Sequence, residues 1–118
     1  MSLTPGALTY TQDSFERDRV GYIGPDSTPT IKDGIALSRT APKPTSVFSG
    51  VSRFNWKFTH TVVLTGALTG YGDVIFEVNV AVPVGTSAVG LAALVDIFQS
   101  QMAEADFDTF INSNKIAF

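Results

Sequence analysis

Residues 51–63 read VSRFNWKFTHTVV. From Arg53 to Val62 the residue types alternate without a break. Phe54, Trp56, Phe58, His60 and Val62 fall on one side, and Arg53, Asn55, Lys57, Thr59 and Thr61 on the other. Successive side chains of a strand point to opposite faces, so this period predicts a β-strand whose two faces meet different surroundings. Trp, Phe, Thr and Val suit a pleated surface, and neither Gly nor Pro interrupts the run. One face belongs on a core. The other carries cations, an amide and hydroxyls, hydrogen-bond donors that suit a phosphate-rich partner. The same set also suits plain solvent, since antiparallel sheets commonly leave one face wet.

The pattern extends in both directions. Val74 to Val82 alternates again, with Val74, Phe76, Val78, Val80 and Val82 on one face and Ile75, Glu77, Asn79 and Ala81 on the other; Pro83 ends it. Between the two strands, TGALTGYGD (65–73) is a glycine-rich connection longer than a tight hairpin needs. Upstream, TIKDGIALSRT (30–40) supports a strand in its second half. There Ile35 and Leu37 face the core, Ala36, Ser38 and Thr40 face away, and Arg39 has core-side parity near the strand end. APKPTSVFSG (41–50) is a loop, because two prolines forbid a central strand. The start of the chain reads as a hairpin: GALTY (6–10), a turn over 11–14, then FERDRVGYI (15–23), whose charges suit an edge or a wet face. GPDSTP (24–29) is a loop.

After Pro83 the period changes to that of a helix. Thr86 or Ser87 can cap a helix from Ala88 to about Ala103, with Leu91, Leu94, Val95, Phe98 and Met102 as its core stripe. Asp106 can cap a short second helix holding Phe107, Phe110 and Ile111, which Asn112–Asn114 ends, leaving 115–118 as a tail. The expected fold class is α+β: an antiparallel meander sheet with an N-terminal hairpin and two C-terminal helices packed on one face. The expected organisation is one domain over 1–118, with the hairpin at 1–23, the sheet at 30–82 and the helices and tail at 86–118. Phe54, Trp56, Phe58 and Phe76 need a cover, and the helices are the only cover the sequence offers.

Composition narrows the function. The chain has 118 residues, 44% hydrophobic and 16% charged, too apolar for a disordered chain. So low a charge fraction suggests a surface covered by other subunits. The absence of Cys removes disulfides and thiolate chemistry. No apolar run is long enough to cross a bilayer, and the N-terminus lacks the features of a signal peptide. The net charge of −3 is unevenly spread. Between Thr30 and His60 lie Lys32, Arg39, Lys43, Arg53 and Lys57 against Asp33 alone, whereas the acids dominate from Thr61 onward. Such asymmetry gives one face a positive field despite the negative total.

No catalytic constellation is present, so the chain reads as a non-enzyme without a cofactor. The lone His60 lies among apolar neighbours and reads as a core-side or rim histidine with a local hydrogen bond; a general base needs an orienting partner. One His and no Cys argue against zinc, and no metal site is expected. Glu104, Asp106 and Asp108 read as helix-start charge. TGALTGYG lacks the lysine and the strand–loop–helix setting of a phosphate loop.

The order of elements and residues 76–118, FEVNVAVPVGTSAVGLAALVDIFQSQMAEADFDTFINSNKIAF, resemble the coat proteins of single-stranded RNA bacteriophages (leviviruses). The shared pattern is a final strand ending in Pro, a polar break, a long helix, a short helix and a brief tail. The resemblance covers most of the chain as architecture and the last third as sequence pattern. It implies a homodimer with one continuous sheet, each subunit's helices crossing the partner's sheet, and dimers assembled into an icosahedral shell. It further implies packaging of the single-stranded RNA genome against the sheet, and a place in the virion after synthesis in the bacterial host cytoplasm. The implied RNA-binding residues are Ser38, Arg53, Asn55, Lys57, Thr59, Thr61 and Asn79. The resemblance also allows translational repression through RNA hairpin binding, although some members place Tyr-x-Asn where this chain has Ile75-x-Glu77. Ile cannot stack a base as an aromatic does, and Glu repels phosphate. The loop 65–73 corresponds to the loop that switches conformation around symmetry axes. The alternative reading is a small non-viral α+β module that binds a ligand between helices and sheet, or single-stranded nucleic acid on the sheet.

Overall fold

The computed structural model describes residues 2–114. In chain order they form β1 (Ser2–Leu3), a short 3-10 turn (Pro5–Ala7), β2 (Tyr10–Glu16), β3 (Arg19–Ile23), β4 (Asp33–Thr40), β5 (Val51–Val63), β6 (Tyr71–Pro83), α1 (Ala88–Ala103) and α2 (Ala105–Ser113). The six strands make one antiparallel sheet in sequence order. After Val84 the chain divides into two compact units, the sheet and the helical segment.

β5 and its neighbour β4 follow the alternation of the sequence. β6 differs from expectation. It begins at Tyr71, because Gly72 and Asp73 pair with Val62 and Thr61, so the two strands run together from Val51↔Pro83 to Val63↔Tyr71. The connecting loop is correspondingly shorter than 65–73 and closes with Leu64 N–H donating to the Gly70 carbonyl at 2.8 Å. Glycines that read as loop signals here sit partly inside a strand.

The N-terminal hairpin is also displaced. Its turn is at Arg17–Asp18, where Glu16 pairs with Arg19, and not over 11–14. The polar residues of 11–14 instead mark an irregularity in β2, where the register shifts between Gln12 and Ser14. The physical reason for the turn is solvation and bonding. Its charges stay wet, and Arg39 reaches across to clamp it, donating from Nε to Asp18 Oδ1 at 3.1 Å and from Nη2 to the Arg17 carbonyl at 3.2 Å. Residues 6–10 are not a strand up to Tyr10, since Gly6 and Ala7 have φ of 54° and 70°.

The register shift bends β2. An extra residue in one strand increases twist and flips parity, so Tyr10 and Phe15 share the core face although they are five positions apart. Tyr10 lies edge-on to Phe58, with centroids 6.2 Å apart. The Tyr10 ring leans across Gly24 at the end of β3, and its hydroxyl reaches Asp33 on β4. The core lies at this end: Tyr10, Tyr22 and Ile35 are buried, with Leu3, Val20, Leu37 and Phe58 packed against them. The expected aromatic core is different. Phe54, Trp56 and Phe76 are 46%, 47% and 43% exposed, and of that set only Phe58 joins the packed cluster.

In the helical unit, α1 starts at Ser87, whose Oγ accepts from Gly90 N at 3.1 Å. Glu104, not Asp106, is the N-cap of α2. Asp106 and Asp108 lie in its first turn, where negative charge meets the positive end of the dipole. Asn114 ends α2 in the left-handed region with φ of 54°. The stripe expected as core is open: Leu94, Val95, Phe98 and Met102 are all exposed, and neither helix has a buried residue. The expected tail, 115–118, lies outside the described residues.

Candidate functional site

The strand register turns the polar half of β5 into a two-dimensional surface, because directly paired residues point to the same face. One row across the sheet runs Glu16, Arg19, Ser38, Asn55, Asn79. The next runs Gly21, Ala36, Lys57, Glu77, and the one beyond it Ile23, Gly34, Thr59, Ile75. On the other side lies Thr40, Arg53, Ala81. All seven residues singled out from the sequence are therefore on one face. Gly34 and Ala36 leave a shallow open depression of about 430 Å³, bordered by Ile23, Lys57, Thr59 and Ile75.

The seven are not equally available. Asn55 Nδ2 donates to Glu77 Oε1 and to Asn79 Oδ1, both at 2.6 Å, so the middle of the row is already cross-linked. Thr61 is buried and serves the fold: its Oγ1 donates to Asp73 Oδ1 at 2.7 Å and accepts from Lys32 N at 3.0 Å. The Thr61 bond, with Lys32 nearby, holds the Asp73 carboxyl below its ordinary range. Lys32 also meets Asp73 at 3.4 Å. Ser38, Lys57 and Thr59 are half-buried and Arg53 is exposed; among the described residues neither Arg53 nor Lys57 has an ion-pair partner. This face can offer both without breaking an ion pair.

Arg19 belongs to the same surface, opposite Ser38, and sequence reading missed it. With the hairpin turn placed at Arg17–Asp18, parity would have put it there. Glu16, Glu77 and Asp73 bring acid to the face as well, and Glu77 lies directly opposite Lys57, so the face is of mixed charge. His60 is on the apolar side, stacked on Phe58, with Nε2 3.6 Å from Asp26 Oδ2.

The architecture can be compared with solved structures. A chain of the virus-like particle of Beihai levi-like virus 32 superposes with a TM-score of 0.81 at 14% identity, over 96% of this chain and 91% of that one. This chain has the levivirus coat fold. A chain of the virus-like particle of bacteriophage AVE019 matches with a TM-score of 0.77 at 10% identity, over 100% and 96%. One from the Wenzhou levi-like virus 4 particle matches at 0.75 and 16%, over 92% and 76%. No protein-family model matches the sequence, and no curated protein is similar to it. The levivirus coat fold is thus retained here with few residues in common. That is expected where strand order and alternation, not particular side chains, define the architecture.

Proposed function

We propose that this chain is a coat protein that dimerises, assembles into a closed particle and packages single-stranded RNA. The observation that carries this reading is the open apolar face formed by Phe54, Trp56, Phe76 and Val80. An isolated soluble chain rarely leaves so many large apolar groups together in water. The helical unit offers the complement, since Leu94, Ile97 and Phe98 are equally exposed. A second copy's helices laid on this face would satisfy both surfaces.

The sheet edge supports the same reading. β6 is the last strand, so one side of a 13-residue strand has no partner strand among the described residues. It carries no Lys, and its one Pro is at the very end, so only Asp73 and Glu77 guard it against edge pairing. Pairing two β6 strands would continue the sheet across the dimer and place two copies of the polar face side by side. Arg53 and Lys57, with the hydroxyls of Ser38 and Thr59, would then meet RNA phosphates. Ile75 and Glu77 make this a packaging surface and not a reader of one hairpin. The role is structural, with no enzymatic step, and its place is the virion.

Size-exclusion chromatography of the expressed chain tests this directly. The particle should elute in the void volume with nuclease-protected RNA absorbing in the ultraviolet. Trp56→Asp should abolish the particle, because a carboxylate buried without a partner is unfavourable by several kcal/mol. A parent protein that stays at monomer or dimer size, free of RNA, overturns the proposal.

A further inference from the structure

Three groups that the proposed function does not use meet at the Tyr10 end of the sheet. Asp26 in the loop after β3, Asp33 at the start of β4 and His60 on β5 each bring a ligand atom within 4.8 Å of the others. Asp33 is 3% exposed. Its Oδ1 accepts from the Tyr10 hydroxyl at 2.7 Å and its Oδ2 from Asp26 N at 3.1 Å. Both donors are neutral, so the carboxylate has hydrogen bonds but no countercharge. Among the described residues, Lys32 is paired with Asp73 and Arg39 with Asp18, and no lysine or arginine pairs with Asp33. Asp26 adds a second negative charge. The imidazole of His60 is the one group that could oppose them, and at 3.6 Å from Asp26 it is too far for a hydrogen bond.

The cluster is built into the fold. Gly24 N–H donates to the Asp33 carbonyl at 2.8 Å and the Gly24 carbonyl accepts from Ser27 N at 3.3 Å, which brackets Asp26. Gly24 packs on the Asp33 carboxylate and the Tyr10 ring so closely that a Cβ has no room. Ligands of one ion bound at about 2.0–2.2 Å lie roughly 3–4.4 Å from one another. The 3.6 Å between His60 Nε2 and Asp26 Oδ2 falls in that range and is long for a direct hydrogen bond. Two carboxylate oxygens and one imidazole nitrogen form a mixed donor set for a first-row divalent ion, with water completing the coordination. The Asp26 side chain, 68% exposed, gives the ion a way in.

We propose that Asp26, Asp33 and His60 bind one Zn²⁺ or Mn²⁺ ion that ties the 24–32 loop to β4 and β5. The ion would supply the positive charge that buried Asp33 lacks. The site stands or falls independently of the coat role. The test uses the full, untagged chain, stripped with a chelator, dialysed and titrated calorimetrically with each metal, with thermal unfolding followed in parallel. The expected result is saturable binding of one ion per chain with a rise in Tm. Asp26→Asn and His60→Gln should each weaken binding about tenfold or more, as loss of a metal-site group does. Asp26→Asn keeps the test meaningful because its exposed side chain is not needed for folding, whereas Asp33 is. Absence of stoichiometric binding, or either variant binding like the parent, overturns the site.

Discussion

The Tyr10 end of the sheet and the β5–β6 ribbon use the same residue types to opposite effect. At the Tyr10 end, aromatic and polar groups close on each other: Tyr10 is 2% exposed, and its hydroxyl is spent on Asp33. Along the ribbon, equally large aromatics remain half in water, while the opposite face keeps Arg53 and Lys57 unpaired. One end is finished by its own chain, and the other is open and is covered only in the proposed assembly. On that proposal stability and function are spatially separate, and mutations should sort by region.

Emptying the closed end should have the largest effect on the fold itself. Tyr10→Ala removes a buried ring and leaves Asp33 without its hydroxyl donor, and should lower unfolding free energy by about 3–5 kcal/mol in denaturant titrations. A loss below about 1 kcal/mol would mean that this core does not hold the sheet. On the ribbon, Arg53→Ala with Lys57→Ala should leave stability unchanged, because neither side chain is in the packed core. It should reduce the RNA carried by particles. It should also flatten the salt dependence of RNA binding by about 1.4, since each cation that neutralises a phosphate contributes about 0.7 to the slope. Unchanged RNA content would mean that these cations only solvate the sheet.

Two titrations refine the contrast at smaller amplitude. Burial, aided by the hydrogen bond to Asp33, pushes the Tyr10 hydroxyl up from 10.0 to about 12. A raised value means that the folded chain holds the proton more tightly. This contribution is complete below about pH 10 and is lost as pH rises toward 12. Ultraviolet titration should reveal one late tyrosine, absent from Tyr10→Phe. Asp73 has the opposite sign. Its lowered value gives stability that is present above its ordinary 3.8 and is lost as pH falls below it. Asp73→Asn should remove that acid-side component, a slight change because the group is open to solvent at the ribbon's end. If it destabilises as strongly as Tyr10→Ala, the two regions are not independent.

Some of this could be read from the chain alone. Strand alternation over 51–63 and 74–82 requires only that neighbouring side chains point to opposite faces, so the two-faced sheet, the parity of Ser38, Lys57 and Thr59, and the switch to helix after Pro83 were all legible. Those are short-range properties of backbone geometry. The tertiary structure decided what depends on pairing and closure. Register placed the hairpin turn at Arg17–Asp18 and brought Arg19 onto the polar face. Strand pairing brought Tyr10, Tyr22 and Ile35 together as the core in place of Trp56 and Phe76. Pairing of Asp33 with His60 likewise gathered Asp26, Asp33 and His60, and Thr61 was drawn inward by Asp73 and Lys32. Residues far apart in sequence meet only after the strands have paired, and no local period encodes that register.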